Sequence, residues 1–188
     1  MTDGSPADGT TNDLPTDGAD ERPSAPEWPT VVAVVGPSGS GKTTLVESLC
    51  GAFERRVATV KSIHHRIEPD TPGTDTHRHR TAGADRVVGV TPSLTFEIAR
   101  GGKGSDRQPE SELAALRGTI ARLARDGYDL VLIEGFSEAP IPAITVGDAE
   151  TSPGEIVGTG DDSVEALTAA IDELDPLDPS ILDGSPPS

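Results

Sequence analysis

The residues with the clearest chemical meaning form a glycine-rich stretch that ends in a lysine and a threonine. Residues 36–43 read Gly-Pro-Ser-Gly-Ser-Gly-Lys-Thr, which matches the phosphate-binding loop of nucleotide-binding proteins. Glycines lack a Cβ atom, so consecutive backbone N–H groups can curl around a phosphate. Lys42 supplies a positive charge for the terminal phosphates, and the Thr43 hydroxyl suits a bridging Mg²⁺ ion. The predicted nucleotide contacts are Gly36, Ser38, Gly39, Ser40, Gly41, Lys42, Thr43, Thr44 and Lys61.

Acidic residues near two other predicted strand ends are the candidates for catalysis and metal binding. Glu134 ends the apolar run 130–134, where a carboxylate can orient Mg²⁺ or its water. It is therefore a predicted catalytic residue and, with Thr43, a predicted metal ligand. Asp70 and Asp75 lie in the loop after the second predicted strand, as a candidate metal ligand and a candidate catalytic residue respectively. An ordinary role in forming a turn explains these two equally well.

The four histidines lie in one polar segment, at positions 64, 65, 77 and 79. Clustered imidazoles can bind zinc or nickel, so a transition-metal site is one interpretation. No cysteine accompanies them, however, and their spacing matches no closed site. Phosphate contacts or an ordinary polar loop are the favoured interpretations.

The elements that must position these residues alternate between strands and helices. Core strands are predicted at 31–35, 56–61, 128–134 and 141–146, and helices after the glycine-rich loop, at 109–125 and from about 162 to 174. A short helix at 76–84 and two β-rich runs at 87–90 and 94–98 complete the pattern. The expected fold is a three-layer α/β P-loop NTPase fold with a mainly parallel sheet and an extended β-arm.

Charge is distributed unevenly along the 188 residues, whose formal net charge is −17. Residues 1–29 contain seven acidic residues and one arginine, and residues 148–188 contain eleven acidic residues and no lysine or arginine. We expect disordered acidic tails at 1–29 and 175–188 around a nucleotide-binding domain at 30–174.

With only three lysines against 32 acidic residues, the composition is halophile-like, and each lysine is expected to have a role. The expected protein is cytoplasmic and binds neither nucleic acid nor membrane.

Together these motifs resemble the molybdopterin-guanine dinucleotide biosynthesis protein B family. The resemblance covers about residues 31–146 and is carried by segments 34–45, 57–65, 70–75, 77–84 and 129–136, followed by Pro142. It implies a dimeric, GTP- and Mg²⁺-binding adapter with weak GTPase activity. The implied partner is the enzyme that attaches GMP to molybdopterin, or molybdopterin itself. The chain departs from the family pattern at Ser62, Thr74 and Ser137, where basic residues are usual.

Two other functions use the same residues. A small-molecule kinase would need an arginine-bearing lid, for which only the short segment 100–107 is a candidate. A metal-delivery GTPase would use the histidines. The Asn/Thr-Lys-x-Asp motif that commonly reads guanine is absent from the sequence, so the residues alone leave GTP and ATP open.

Overall fold

In the part of the chain that the structure describes, the fold consists of seven strands and four helices. The computed structural model describes residues 27–104, 109–149 and 151–183. The strands are β1 (Thr30–Val35), β2 (Val57–Lys61), β3 (Arg86–Val90), β4 (Thr95–Ala99), β5 (Leu130–Glu134), β6 (Ala143–Thr145) and β7 (Ile156–Thr159). The helices are α1 (Lys42–Ala52), α2 (Asp75–Thr81), α3 (Pro109–Arg125) and α4 (Val164–Asp172), followed by a 3-10 turn at Pro179–Leu182.

The central sheet has the strand order β2-β5-β1-β6-β7, and each neighbouring pair is parallel. Every residue of β1 is buried, as expected for the middle strand of a sheet that is covered on both faces. Val32 and Val34 pack with residues of α1 and α4, whereas Val31, Ala33 and Val35 pack with residues of α3. These two cores confirm the predicted three-layer α/β fold.

The predicted β-arm is a separate antiparallel pair, β3 with β4. Gly89 lies opposite Phe96 in the arm, and a Cβ atom on Gly89 would lie 2.2 Å from the Phe96 ring. The aromatic ring therefore occupies the space over the glycine backbone, which no larger residue could share without moving it.

The edge of the sheet contains the strand that sequence reasoning missed, β7. It is four residues long and contains Gly158, so it lacks the extended apolar pattern that identifies a buried strand. Helix α4 begins one residue after Ser163, whose hydroxyl accepts a hydrogen bond from the Ala166 N–H. Asp162 lies at the predicted start of this helix, but its carboxylate accepts hydrogen bonds from the N–H and hydroxyl of Thr159 at 2.7 and 3.1 Å.

The C-terminal segment differs from the expected disordered tail. Leu177 and Leu182 are 7% and 2% exposed and belong to the core beside α3. The Leu177 N–H donates to the Pro29 carbonyl oxygen at 2.9 Å, and Asp183 pairs with Arg117 of α3 at 3.1 Å. The prediction of disorder from residue 175 is wrong for 175–183, because two leucines in an acidic background suffice to anchor it. Residues 1–26 and 184–188 lie outside the described part of the chain.

Before the first strand, the partly buried ring of Trp28 packs against the same core. None of the described helices is both long and apolar enough to cross a membrane.

The burial of Leu182 gives a test of the C-terminal anchor. Leu182→Ala should lower the free energy of unfolding by about 2–4 kcal/mol, because it removes apolar contacts and leaves a cavity. Urea denaturation in molar KCl would measure the loss. Ile67→Ala is the control, since Ile67 is 52% exposed and lies outside the arm, so its truncation should cost less than about 0.5 kcal/mol. Equal stability of the two variants would show that the C-terminal segment does not anchor the core.

Candidate functional site

The glycine-rich loop joins the end of β1 to the start of α1. Gly36 approaches the loop after β6 so closely that a Cβ atom would lie 2.2 Å from the Val146 carbonyl oxygen. Gly41 is the residue before α1 and has φ 96°, a left-handed conformation that favours glycine. The sequence therefore supplies glycine where a side chain would clash and where the backbone must turn into the helix, so the loop can present its N–H groups.

Lys42 is the first residue of α1 and its side chain folds back over the loop. Its Nζ donates to the carbonyl oxygens of Gly36 and Pro37 at 2.9 and 2.5 Å. The ammonium group thus lies within the curve of the loop, next to a helix N-terminus. This is the region where backbone dipoles and a lysine attract phosphate oxygens together.

Glu134 links the glycine-rich loop with the neighbouring strand ends. Its Oε2 accepts a hydrogen bond from the Thr43 hydroxyl at 3.0 Å, and its Oε1 lies 2.5 Å from Lys61 Nζ. The sheet register produces this arrangement, because Glu134 of β5 pairs with Lys61 of β2 on one side and with Val34 of β1 on the other. The predicted partners Lys42, Thr43, Lys61 and Glu134 therefore meet at one edge of the sheet.

The Glu134 carboxyl is held in its charged form. The hydrogen bond from Lys61 lowers its pKa below the usual value for glutamate, against the opposing effect of burial, and the Thr43 hydrogen bond lowers the pKa further. An ionised carboxylate at neutral pH is the form that can bind a cation or accept a proton from water.

The donor set of this edge fits Mg²⁺. The Thr43 hydroxyl and the Glu134 carboxylate are hard oxygen donors. The 3.0 Å hydrogen bond between them shows that the two groups lie close enough to face the same ion. In the described residues no group of three or more His, Cys, Asp or Glu side chains could hold a metal. Magnesium requires no such group, because it takes its other ligands from phosphates and water. The adjoining cleft of about 380 Å³ is lined by Ser38, Gly39, Gly41, Lys42, Thr43, Lys61 and Glu134, and we call it the phosphate cleft.

The structure does not bring Asp70 and Asp75 to the phosphate cleft. Asp70 accepts hydrogen bonds from the Thr71 N–H at 2.8 Å and the Thr74 hydroxyl at 3.2 Å, which is the pattern of a turn. Asp75 begins α2 and pairs with Arg78 at 3.4 Å, with its side chain 85% exposed. A turn-forming and a helix-starting role account for these contacts.

The histidines are divided between two places. His64 and His65 line a second cleft beside Lys61, whereas His77 and His79 lie on α2. His77 Nδ1 accepts a hydrogen bond from the Gly73 N–H at 3.3 Å, and its Nε2 lies 3.8 Å from Glu68. The contacts of His77 favour the polar-loop interpretation of the segment.

Lys103 also lies at this edge of the sheet, although it was not among the predicted site residues. Its Nζ donates to the Ser62 hydroxyl and to Glu112 at 3.3 Å, and lies 4.8 Å from the centre of the Phe136 ring. All three lysines of the chain, at positions 42, 61 and 103, therefore lie around the ends of β1, β2 and β5. The scarcity of lysine was the available signal, because it indicated a role for each one.

Comparison with known proteins agrees with this geometry. A sequence model of the family described as molybdopterin guanine dinucleotide synthesis protein B (MobB) matches residues 31–170. The chain belongs to this family. The resemblance found in the sequence motifs is thereby confirmed.

Relatives and solved structures extend the same comparison to MobB proteins. The chain is 35% identical over 109 residues to a putative molybdopterin-guanine dinucleotide biosynthesis adapter protein of Methanocaldococcus jannaschii, covering 58% of this chain and 42% of the relative. It is 32% identical to the Haemophilus influenzae adapter protein over 61% of each chain. A crystal structure of molybdopterin-guanine biosynthesis protein B has a TM-score of 0.55 and 25% identity, over 76% of this chain and 99% of that one. The matches to the two curated adapter proteins cover 42% and 61% of their lengths, so the chain spans less than two thirds of each of them.

The Lys61 contact predicts a change in the acidity of Glu134. Lys61→Met should raise the Glu134 pKa towards the usual glutamate value, because the hydrogen bond that lowers it most is removed. The ion pair stabilises the wild-type fold above the unfolded-state pKa, and this contribution is lost as the pH falls through the lowered value. A carboxyl-carbon NMR titration would measure the shift. Lys103→Met is the control, and the Lys61 assignment fails if both variants titrate like the wild type.

Proposed function

We propose that this MobB-family chain is a nucleotide-binding adapter in molybdopterin guanine dinucleotide synthesis, with GTP and Mg²⁺ as its ligands. The observation that carries the proposal is the phosphate cleft, where Lys42 lies inside the glycine-rich loop and Glu134 contacts Thr43 and Lys61. Lys42 would contact the terminal phosphates. Thr43 and Glu134 would hold Mg²⁺ directly or through its water, and the ion would neutralise phosphate charge.

Slow hydrolysis is part of the proposal. Glu134 could orient a water near the terminal phosphate, but Thr43 and Lys61 already engage both of its oxygens. Among the described residues that line the phosphate cleft there is no glutamine and no arginine. Enzymes with rapid phosphoryl transfer generally use such residues to position water and to stabilise the transition state. We therefore expect turnover on the order of one per minute or less, against about 1–100 per second for kinases.

The kinase alternative is less well supported by the contacts around its candidate lid. Arg100 pairs with Asp85 at 3.8 Å in the arm instead of lining the phosphate cleft. Residues 105–108 of the candidate lid lie outside the described ranges. The adapter function also agrees with the names of the relatives, which are described as adapter proteins.

An adapter must act through a partner, which we propose is the guanylyl-transferring enzyme or molybdopterin itself. Binding of such a partner can depend on the nucleotide only if it has different affinities for two nucleotide states. The second cleft, of about 730 Å³, adjoins the phosphate cleft at Lys61 and is lined by Lys103 and Phe136, among other residues. It offers positive charge and an aromatic ring to an anionic ligand.

The binding proposal is tested by two substitutions in the same cleft. Lys42→Ala should weaken Mg·GTP binding at least about tenfold, or about 1.4 kcal/mol, because it removes a charge-assisted contact to phosphate. Glu134→Gln should reduce binding less but slow hydrolysis more, because it acts on metal and water. Calorimetry and single-turnover hydrolysis in molar KCl would measure both effects. Unchanged GTP affinity in Lys42→Ala would contradict the proposed site, and rapid phosphate transfer to a small acceptor would favour the kinase.

We propose also that the chain forms a homodimer through the β-arm. Val88, Val90, Leu94 and Phe96 are 51%, 79%, 69% and 40% exposed, an unusual concentration of apolar surface on a two-stranded arm. A two-stranded sheet has little stability by itself, so burial against a second copy would stabilise the arm.

The dimer proposal predicts that a charge on the arm changes the mass in solution. Val90→Asp should give a monomer by sedimentation equilibrium in molar KCl, because a carboxylate cannot be buried in an apolar interface without a partner. Val90→Thr preserves the branched shape and should weaken association less. The arm is not the dimer interface if Val90→Asp sediments with the mass of the wild type.

A further inference from the structure

A third cleft borders the glycine-rich loop at Ser40. Its volume is about 540 Å³, within the range of small-molecule sites. It is lined by Ser40, Thr145, Val146, Gly147, Ala149, Ile156, Thr159, Gly160 and Asp161, which lie at or near the ends of β6 and β7. We call it the edge cleft.

The glycine-rich loop is the wall shared by the two clefts. Ser40 lines the edge cleft, whereas its sequence neighbours Gly39 and Gly41 line the phosphate cleft. A Cβ atom on Gly147 would lie 3.1 Å from Ser40 Cβ, so the loop after β6 packs directly on the glycine-rich loop. The two clefts are therefore neighbours that border the same three-residue stretch of the loop.

The walls of the edge cleft suit a flat ring. Val146 and Ala149 contribute apolar surface from one loop, and Ile156 is 42% exposed on the neighbouring strand β7. Gly160 lies against Val146, where a Cβ atom would come within 3.0 Å of its side chain. Ser40 Oγ is buried and has no hydrogen-bond partner in the described part of the chain, which leaves a polar atom beside the cleft.

Asp161 differs from its neighbour Asp162 in what its carboxylate contacts. Asp162 accepts both the N–H and the hydroxyl of Thr159 and so holds the end of β7 in place. Asp161 lines the edge cleft, and within the described residues its side chain takes part in no hydrogen bond or ion pair. Asp161 therefore offers a carboxylate with both oxygens available to a ligand in the edge cleft.

We propose that the edge cleft binds the purine base and that Asp161 selects guanine. Guanine presents two adjacent donors, the N1–H and the 2-amino group, which match the two oxygens of one carboxylate. Adenine presents the lone pair of N1 and no 2-amino group, so the same carboxylate repels it. The proposal rests on nucleotide binding as proposed above and names the residue that distinguishes the base. It assigns to Asp161 the role that the absent Asn/Thr-Lys-x-Asp motif would otherwise perform.

The first test needs no variant, because it compares the bases directly. Calorimetry with the magnesium complexes of GTP, ITP and ATP in molar KCl should show GTP binding at least about tenfold more tightly than either of the others. ITP keeps the N1–H but lacks the 2-amino group, so it isolates one of the two hydrogen bonds. Equal affinity for all three nucleotides would overturn the inference and leave the proposed nucleotide site standing. Failure to bind any triphosphate would refute both.

The second test changes Asp161, the residue that is proposed to recognise the base. Asp161→Asn should weaken GTP binding at least about tenfold and strengthen XTP binding, because the amide can donate to the 2-oxygen of xanthine. Asp148→Asn is the matched control, since Asp148 lies in the loop after β6 but does not line the edge cleft. Thermal unfolding of both variants checks that the fold is kept. The assignment is wrong if Asp161→Asn binds GTP and XTP like the wild type, or if Asp148→Asn produces the exchange instead.

Discussion

The contact of Glu134 with Lys61 and Thr43 is the interaction on which the arrangement of this edge depends. It joins the ends of β5 and β2 to the start of α1, three elements that the backbone brings together only through the parallel sheet. The register sets the distance, because Glu134 pairs directly with Lys61 and Val34. A shift of one residue in β5 would turn the carboxylate to the opposite face of the sheet. The chemistry of the edge is therefore a consequence of how the core strands pair.

The fold brings the few lysines of this acidic chain together in one region. The segment 30–147 contains fourteen acidic residues and fourteen lysines and arginines, so its formal charge is balanced. Within it, the three lysines converge on the ends of β1, β2 and β5. Arginines elsewhere form surface ion pairs, as Arg86 and Arg122 do with Glu97. An acidic protein can in this way keep a local positive region for an anionic ligand.

The sequence was sufficient where local pattern and tertiary structure agree. The apolar runs that became β1 and β5 and the glycine-rich loop placed Lys42, Thr43 and Glu134 correctly, and the 109–125 helix was predicted with the observed bounds. Strand β7 was not predicted, because it is only four residues long and contains Gly158, so it shows no strand pattern. The edge cleft, which residues of β7 line, was therefore not predicted either. The burial of Leu177 and Leu182 was not predicted, because disorder in a tail is predicted from its overall composition. In the structure, two apolar side chains are enough to hold the segment on the core. Lys103 could be noticed from its rarity, but only the fold brings it to Ser62 and Phe136.

The hydrogen bond from Leu177 to Pro29 joins the segment after α4 to the residue directly before β1. Pro29 comes directly before β1, so this contact lies at the amino edge of the sheet, and the phosphate cleft is at the carboxyl edge. Six residues of β1 separate these edges by about 20 Å. This exceeds the screening length of about 3 Å in molar salt, so charge attached at that edge has little effect on a triphosphate. Charged residues near the contact between Leu177 and Pro29 can accordingly vary without changing the electrostatic potential in the phosphate cleft.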